Sequence, residues 1–317
     1  MESGTSRVAK PLSPNTVWPQ RTRLQGVSRQ VGKDCHERTG RYALQMIKNL
    51  PWHTKLVLAL LAFLPVYFAI AALGTKFGIW GWQTGLLALT LGGGAILLGL
   101  TAVAALVSLV MALRAKPRHN AVLAAAIIGL LIPGAAGSVF ASAAGKGAAN
   151  PIHDIATDTG NPPAFSPETV AAREAAGANP LSDYQVPLGQ LELYKKAGVS
   201  PELAVKSHAQ IITDRKDRPA PLPLGGASKA EGVANVAAAM AAMGLTDIRS
   251  DPATGMVEGV AETFWFGFKD DVVARVGDSQ IDFRSVSRVG MSDLGANTAR
   301  IAQLRERTEA LLGAASR

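Results

Sequence analysis

Two clusters in the chain combine side-chain types that could bind or transform a ligand. The first is His153, Asp154 and Asp158, within the stretch PIHDIATDTGNPPAF. An imidazole beside carboxylates can ligate a metal or pass a proton. Four ligands at structural-zinc spacing are missing, however, so the competing reading is a surface linker whose polar side chains cap turns. The second cluster is Arg284, Ser285, Ser287, Arg288, Gly290, Ser292 and Asp293. Arginine forks match phosphate or carboxylate, and a helix beginning after Asp293 would add free N–H groups, so an anionic ligand is one reading. The other is structural: Asp293 repels an anion and suits an N-cap, and Arg288 has Asp282 and Asp293 as ion-pair partners. No GxSxG, HExxH or P-loop pattern occurs. No catalytic residue, metal site or cofactor is therefore predicted.

The elements that must position these residues are read from periodicity. Ser228 and Glu231 form a capping box for a helix reaching Met243, with Val233, Val236, Met240 and Met243 on its core stripe. Short helices are predicted at 167–176, 188–197 and 201–208, and 218–226 is an extended connector. Three or four antiparallel strands follow, at 246–249, 256–268, 271–276 and 280–288, joined by tight turns. On the second of these, Phe264, Phe266 and Phe268 alternate onto a core face. Trp265 lies opposite beside Gly267, where it could meet a ligand, a lipid or a covering layer. Lys269-Asp270-Asp271 reads as a solvated turn. On the last strand Ile281, Phe283, Ser285 and Ser287 share one face, and Asp282, Arg284, Val286 and Arg288 share the other, which suggests partial cover on both. A final helix spans 296–312. The predicted fold is an α+β domain over 147–317, an antiparallel sheet with flanking helices, placed on one face.

Ahead of that domain lies an anchor. Three uncharged apolar stretches, at about 56–73, 86–113 and 121–144, are each long enough to cross a bilayer as a helix. The first lies too deep in the chain and is too long to be a cleaved signal peptide. The lipid bilayer is thus the one partner the composition demands. Of the charged residues, 14 Lys/Arg stand against 3 acids before residue 146, and 18 against 21 from there on. The basic excess therefore flanks membrane helices, and no nucleic-acid partner is implied. Basic residues precede the first helix and fill the second loop, which predicts a cytoplasmic N-terminus and a C-terminal domain on the outer, periplasmic side of a bacterial inner membrane. Trp80 and Trp82 would belong to the outer aromatic belt and Trp52 to the inner one. The Gly-rich second helix, with Gly92, Gly93, Gly94 and Gly99 and a GxxxG at Gly81/Gly85, predicts close packing within the bundle or a homo-oligomer face. Residues 1–50 read as a disordered basic tail, and Met46 is an alternative start. The lone Cys35 allows no intrachain disulfide.

Three blocks carry a family resemblance. TFWFGFKDDVVARV (Thr263–Val276) followed by DFRSVSRVGMSDLGANTARI (Asp282–Ile301) resembles the signature of the domain of unknown function 1499 family. IHDIATDTGNPPAF (Ile152–Phe165) is similar to that family's first block. The resemblance, covering about 46–317, implies a bacterial envelope protein whose family often carries N-terminal membrane helices. It implies no catalytic residues. The expected function is a membrane-anchored envelope module that binds a lipid, glycan or protein partner. Two alternatives are a periplasmic hydrolase or transferase using the two clusters above, and an accessory subunit of a membrane complex.

Overall fold

The computed structural model describes residues 48–315; the predicted basic tail and the alternative start at Met46 fall outside them. Three helices form the anchor: α1 (Trp52–Lys76), α2 (Gln83–Arg114) and α3 (Asn120–Ala149). All three are longer than their apolar cores. At about 1.5 Å per residue, α3 reaches about 45 Å, which exceeds the roughly 30 Å hydrocarbon layer. Its C-terminal turns thus extend beyond an apolar slab and meet the soluble domain. The first eleven residues of α2, Gln83–Gly93, are wound as a π-helix. Tyr67 of α1 donates its hydroxyl to the Leu89 carbonyl in this segment, 2.9 Å away. That carbonyl also accepts the Gly94 amide, so the tyrosine adds a second bond to it. Gly85, Gly93 and Gly94 face α1, where a side chain would strike Thr75, Tyr67 and Phe68, whereas Gly99 faces open space. Three of the glycines therefore serve close packing inside the protomer. The anchor also begins earlier than its apolar core, so His53 is buried at the start of α1, 2.8 Å from Ser108 of α2.

The soluble domain is an antiparallel sheet with strand order β1-β6-β5-β4-β3. Its strands are β1 (Asp154–Ala156), β2 (Leu222–Pro223), β3 (Thr246–Asp251), β4 (Met256–Glu262), β5 (Lys269–Val276) and β6 (Gln280–Ser287). β1 pairs with the last half of β6 and β2 with its first residues, so two short segments share one edge. Six strands thus stand where three or four are predicted. The extra two are two and three residues long and come from the stretches read as linker and connector.

Both sheet faces are covered. On one, α8 (Lys229–Ala242) and α9 (Ala296–Ala315) pack Val236, Met240, Ile301 and Leu304 against Val272, Ala274 and Phe283. The capping box of α8 is present, with Ser228 N donating to Glu231 at 2.7 Å and Glu231 N to Ser228 Oγ at 3.2 Å. On the other face lie Phe165, Val273 and Val286, with α4 (Pro167–Ala175) above them. Helical cover on one face alone is therefore corrected. The strand faces of β6 are as the alternation predicts. The segment between α4 and α8 carries three short helices, α5 (Glu192–Ala197), α6 (Pro201–Ala204) and α7 (His208–Thr213), which enclose the β1 edge with Tyr184, Leu188, Tyr194 and Ile212.

The predicted strand 256–268 ends early. β4 stops at Glu262, and residues 263–268 form a loop closed by Thr263 N to the Phe268 carbonyl and Phe268 N to Thr263 Oγ1, both 2.9 Å. Gly267 has φ of 66°, a conformation that ordinary residues avoid and that breaks the pleat. Phe264 is accordingly exposed, not core.

Candidate binding cleft

Two residues of the first predicted cluster, His153 and Asp154, are buried, and the linker reading is corrected for them. Asp154 is the first residue of β1 and is fully enclosed. Its carboxylate accepts Arg284 Nε at 2.9 Å and Nη2 at 2.7 Å, the Tyr184 hydroxyl at 2.6 Å and the Ser182 amide at 3.1 Å. Burial alone would raise its pKa, but the Arg284 guanidinium outweighs it and holds the group down at about 2. Arg284 Nη1 donates to the Pro163 carbonyl at 3.2 Å, and the guanidinium lies over the rings of Tyr184 and Phe165. His153 Nδ1 lies 3.1 Å from the Tyr194 hydroxyl, which is 3.2 Å from His208 Nε2; His208 Nε2 also lies 3.0 Å from Ser182 Oγ. Burial lowers the pKa of both histidines, His208 to about 4. Asp158 stands apart. It accepts the amides of Gly160 and Asn161 and pairs with Arg275 at 3.0 Å, which makes it a turn cap.

The second predicted cluster is divided by the alternation of β6. Arg284 and Arg288 leave by the α4 face. Arg288 binds Asp271 through two bonds of 2.9 and 2.6 Å, and Arg173 binds the same carboxylate at 2.5 Å. The partner of Arg288 is thus Asp271, in place of Asp282 or Asp293. The Lys269-Asp270-Asp271 stretch begins β5, with both acids buried, and is not a solvated turn. Both guanidiniums already hold a buried carboxylate, so an anion there would have to displace one. Ser285 and Ser287 leave by the opposite face. Ser285 donates to Asn297 at 2.7 Å and accepts Arg300 at 2.9 Å, and Ser287 accepts Asn297 Nδ2 at 3.0 Å.

Beyond Ser287 the chain passes through the loop RVGMSDLG to α9. Asp293 accepts the amides of Gly295 and Asn297, both at 2.8 Å, and so caps the start of α9 from two residues ahead of the N-cap position, which Gly295 holds. Its pKa is raised by burial. Leu294 is unusual: its φ is 56°, between Gly290 at 83° and Gly295 at 88°, and its side chain is 48% exposed. A leucine in the left-handed region costs roughly 1–2 kcal/mol, and such strain gathers at functional sites.

Leu294 projects at a cleft. The cavity measures about 940 Å³ and lies between the anchor and the soluble domain. The anchor wall comes from Trp82 and Leu86 at the start of α2 and from Val139, Ser142 and Lys146 on α3. The domain wall comes from Phe268, Asp270, Ser287 and the loop 289–295. Asp270 is paired with Arg300 at 2.7 Å, whereas the Lys146 ammonium makes no ion pair among the described residues.

Residues 154–307, from the first residue of β1 into α9, match the family described as protein of unknown function (DUF1499). The match spans nearly the whole C-terminal domain, just under half of the chain. No curated protein and no solved structure matches the chain. The DUF1499 domain supplies one whole wall of the cleft, and the anchor, outside the matched residues, supplies the other. Of the residues singled out by type, Ser287, Ser292 and Asp293 line the cleft; His153, Asp154, Arg284 and Arg288 lie in the domain interior; Ser285 lies under α9; Asp158 caps a turn; Trp265 sits on the β4–β5 loop. Type and spacing did not reveal Lys146, Val139 or Leu294. The only signal for them was local: a lone lysine after an apolar helix, and a leucine between two glycine-containing turns.

Proposed function

We propose that this is a bacterial inner-membrane module that binds an amphiphile in the cleft between its anchor and its DUF1499 domain. The observation that carries this reading is the composition of the two walls. Trp82, Leu86, Val139 and Leu294 offer apolar surface, and Lys146, Ser287, Ser292 and Asp293 gather polar groups beside it. A molecule with an apolar chain and a polar head matches both parts, and the volume lies within the range of small-molecule sites. Lys146, which makes no ion pair among the described residues, and Asp293 on the domain wall offer charges of both signs to that head. The charge asymmetry of the loops supports a cytoplasmic N-terminus and a periplasmic domain, with the cleft near the outer surface where such molecules lie. A glycan lacks the apolar part that these walls suit.

Native mass spectrometry of the full-length protein, gently extracted from its own membrane, tests the proposal. A discrete lipid-like adduct is expected. Val139→Trp combined with Ser142→Trp puts two indoles into the cleft from exposed positions of α3 and is expected to lower the bound fraction roughly tenfold, or about 1.4 kcal/mol. A bare wild-type protein, or an adduct indifferent to both indoles, would overturn the reading.

A further inference from the structure

We infer that the loop 263–268 is a second membrane contact of this protein, with Phe264 and Trp265 seated in the interface of the bilayer that the anchor spans. Phe264 is 70% and Trp265 54% exposed. Val205 and Leu294 are the other large apolar side chains of the soluble domain left so open among the described residues. Water is a poor environment for two adjacent aromatic rings, and the loop does not leave them loose. They meet edge to face at 5.1 Å, and Phe266 and Phe268 stack at 5.2 Å within the same loop. The loop's own hydrogen bonds, from Thr263, Gly267 and Phe268, satisfy three of its six amides, which lowers the cost of placing it at a bilayer interface.

Position decides what covers the rings. Lys76, the last residue of α1, donates its ammonium to the Phe264 carbonyl at 2.7 Å and lies 4.9 Å from the centre of the Phe264 ring. It also lies 3.8 Å from Glu262 at the end of β4. The loop is therefore tied to the point where a membrane helix ends. Phe77 and Ile79, just beyond that point, are exposed as well, at 72% and 71%. Exposed apolar side chains of both segments thus belong to stretches tied to the end of α1. Phenylalanine and tryptophan partition to this depth of a bilayer, and a lysine at a helix end extends to the headgroups. The occupant is thus the lipid surface. Because Thr263 and Phe268 also line the cleft, the contact would set one rim of the cleft on the bilayer. The inference itself rests on the loop and Lys76 and does not depend on what the cleft holds.

The test uses the full chain with Cys35→Ser, carrying one cysteine at Phe264→Cys or at Asp278→Cys and labelled with an environment-sensitive fluorophore. Asp278 is fully exposed at the other end of the β5 strand, roughly 25 Å away. In vesicles of phosphatidylethanolamine and phosphatidylglycerol, the label at 264 is expected to be blue-shifted. Lipids bearing a shallow nitroxide should quench it roughly twofold or more beyond the label at 278, with iodide giving the reverse order. Trp265→Cys supplies a second probe should Phe264→Cys fold poorly. A label at 264 that behaves like the one at 278 would overturn the inference. So would one shielded from iodide and nitroxide alike, since that pattern means a protein surface, such as a second copy, covers the loop.

Discussion

The polar interior at the β1 edge and the cleft above the anchor use similar side chains to opposite ends. In the interior, Asp154 accepts four hydrogen bonds, each guanidinium nitrogen of Arg284 has an acceptor, and Tyr184, Tyr194, Ser182 and two histidines extend the network around them. The residue types suggest chemistry, but no atom of Asp154 or Arg284 is left for a ligand. In the cleft, Ser287, Ser292 and Asp293 keep company with alanine, valine and leucine, and the space lies there. The difference teaches that charge-rich clusters in a small domain can be fastenings. β1 is three residues long and lies at the sheet margin, so its place depends on the Asp154–Arg284 bond to β6 as much as on its ladder. A ligand site, by contrast, requires open space, which here lies between two parts of the fold.

The sharpest way to break this comparison is Arg284→Ala. The substitution leaves Asp154 charged, buried and short of the two charge-assisted bonds it accepts from that guanidinium. Removing one member of a buried pair costs about 3–5 kcal/mol. Unfolding of the full-length protein in detergent should record a loss of that size, with bound amphiphile falling only as far as the fold does. The paired cleft substitutions Val139→Trp and Ser142→Trp should show the opposite pattern, with stability within about 0.5 kcal/mol of wild type and the ligand lost. An Arg284→Ala protein that stayed fully stable and lost its ligand would merge the two regions into one site.

Acid should also tell them apart. His208 has a pKa of about 4 in the folded domain, against an ordinary value of 6.5, because burial penalises the imidazolium; the pKa of His153 is lowered for the same first reason. Both are neutral in the fold at pH 7. As the pH falls below 6.5 the unfolded chain takes up protons that the folded one refuses, so stability falls, and for His208 the decline levels off near pH 4. The His208 shift corresponds to about 3 kcal/mol across that window. Asp154 adds a second, lower window: its stabilisation is complete above the ordinary 3.8 and is lost as the pH approaches 2. Chemical unfolding at a series of pH values should show the histidine slope in wild type and a shallower one in His208→Gln. An unchanged slope would mean that His208 is not a neutral fastening.

Much of this fold is legible in the sequence where one local rule suffices. The three apolar spans, the Ser228–Glu231 capping box, the two faces of β6 and the cap at Asp293 each follow from a period or a cap. What escapes is decided across distance. Leu222–Pro223 and Asp154–Ala156 have no strand pattern of their own and become strands because β6 offers an edge. The run Met256–Phe268 has the aromatic content of one long strand, yet Gly267 and the Thr263–Phe268 hydrogen bonds turn it into a hairpin loop tied to Lys76, 187 positions before Thr263. Asp271 looked like turn chemistry and instead gathers Arg173 and Arg288 under α4. The cleft needs Val139 and Leu294 on facing walls, and nothing in either segment announces the other.

Leu294→Gly gives the smallest expected change in stability and the finest distinction. The residue pays for a left-handed backbone, is half exposed, and approaches α3 at Gly147, where an added Cβ would lie 3.4 Å from its Cδ2. If the side chain exists to line the cleft, glycine relieves the strain and loses only surface contact. Stability should then hold or rise by up to about 1 kcal/mol, while the bound amphiphile fraction falls several-fold. If Leu294 instead bolts the DUF1499 domain to α3, the same substitution should cost about 2 kcal/mol or more, as loss of a buried leucine does. Paired unfolding and native mass measurements on this single variant therefore decide whether the strained residue belongs to the open region or to the fastened one.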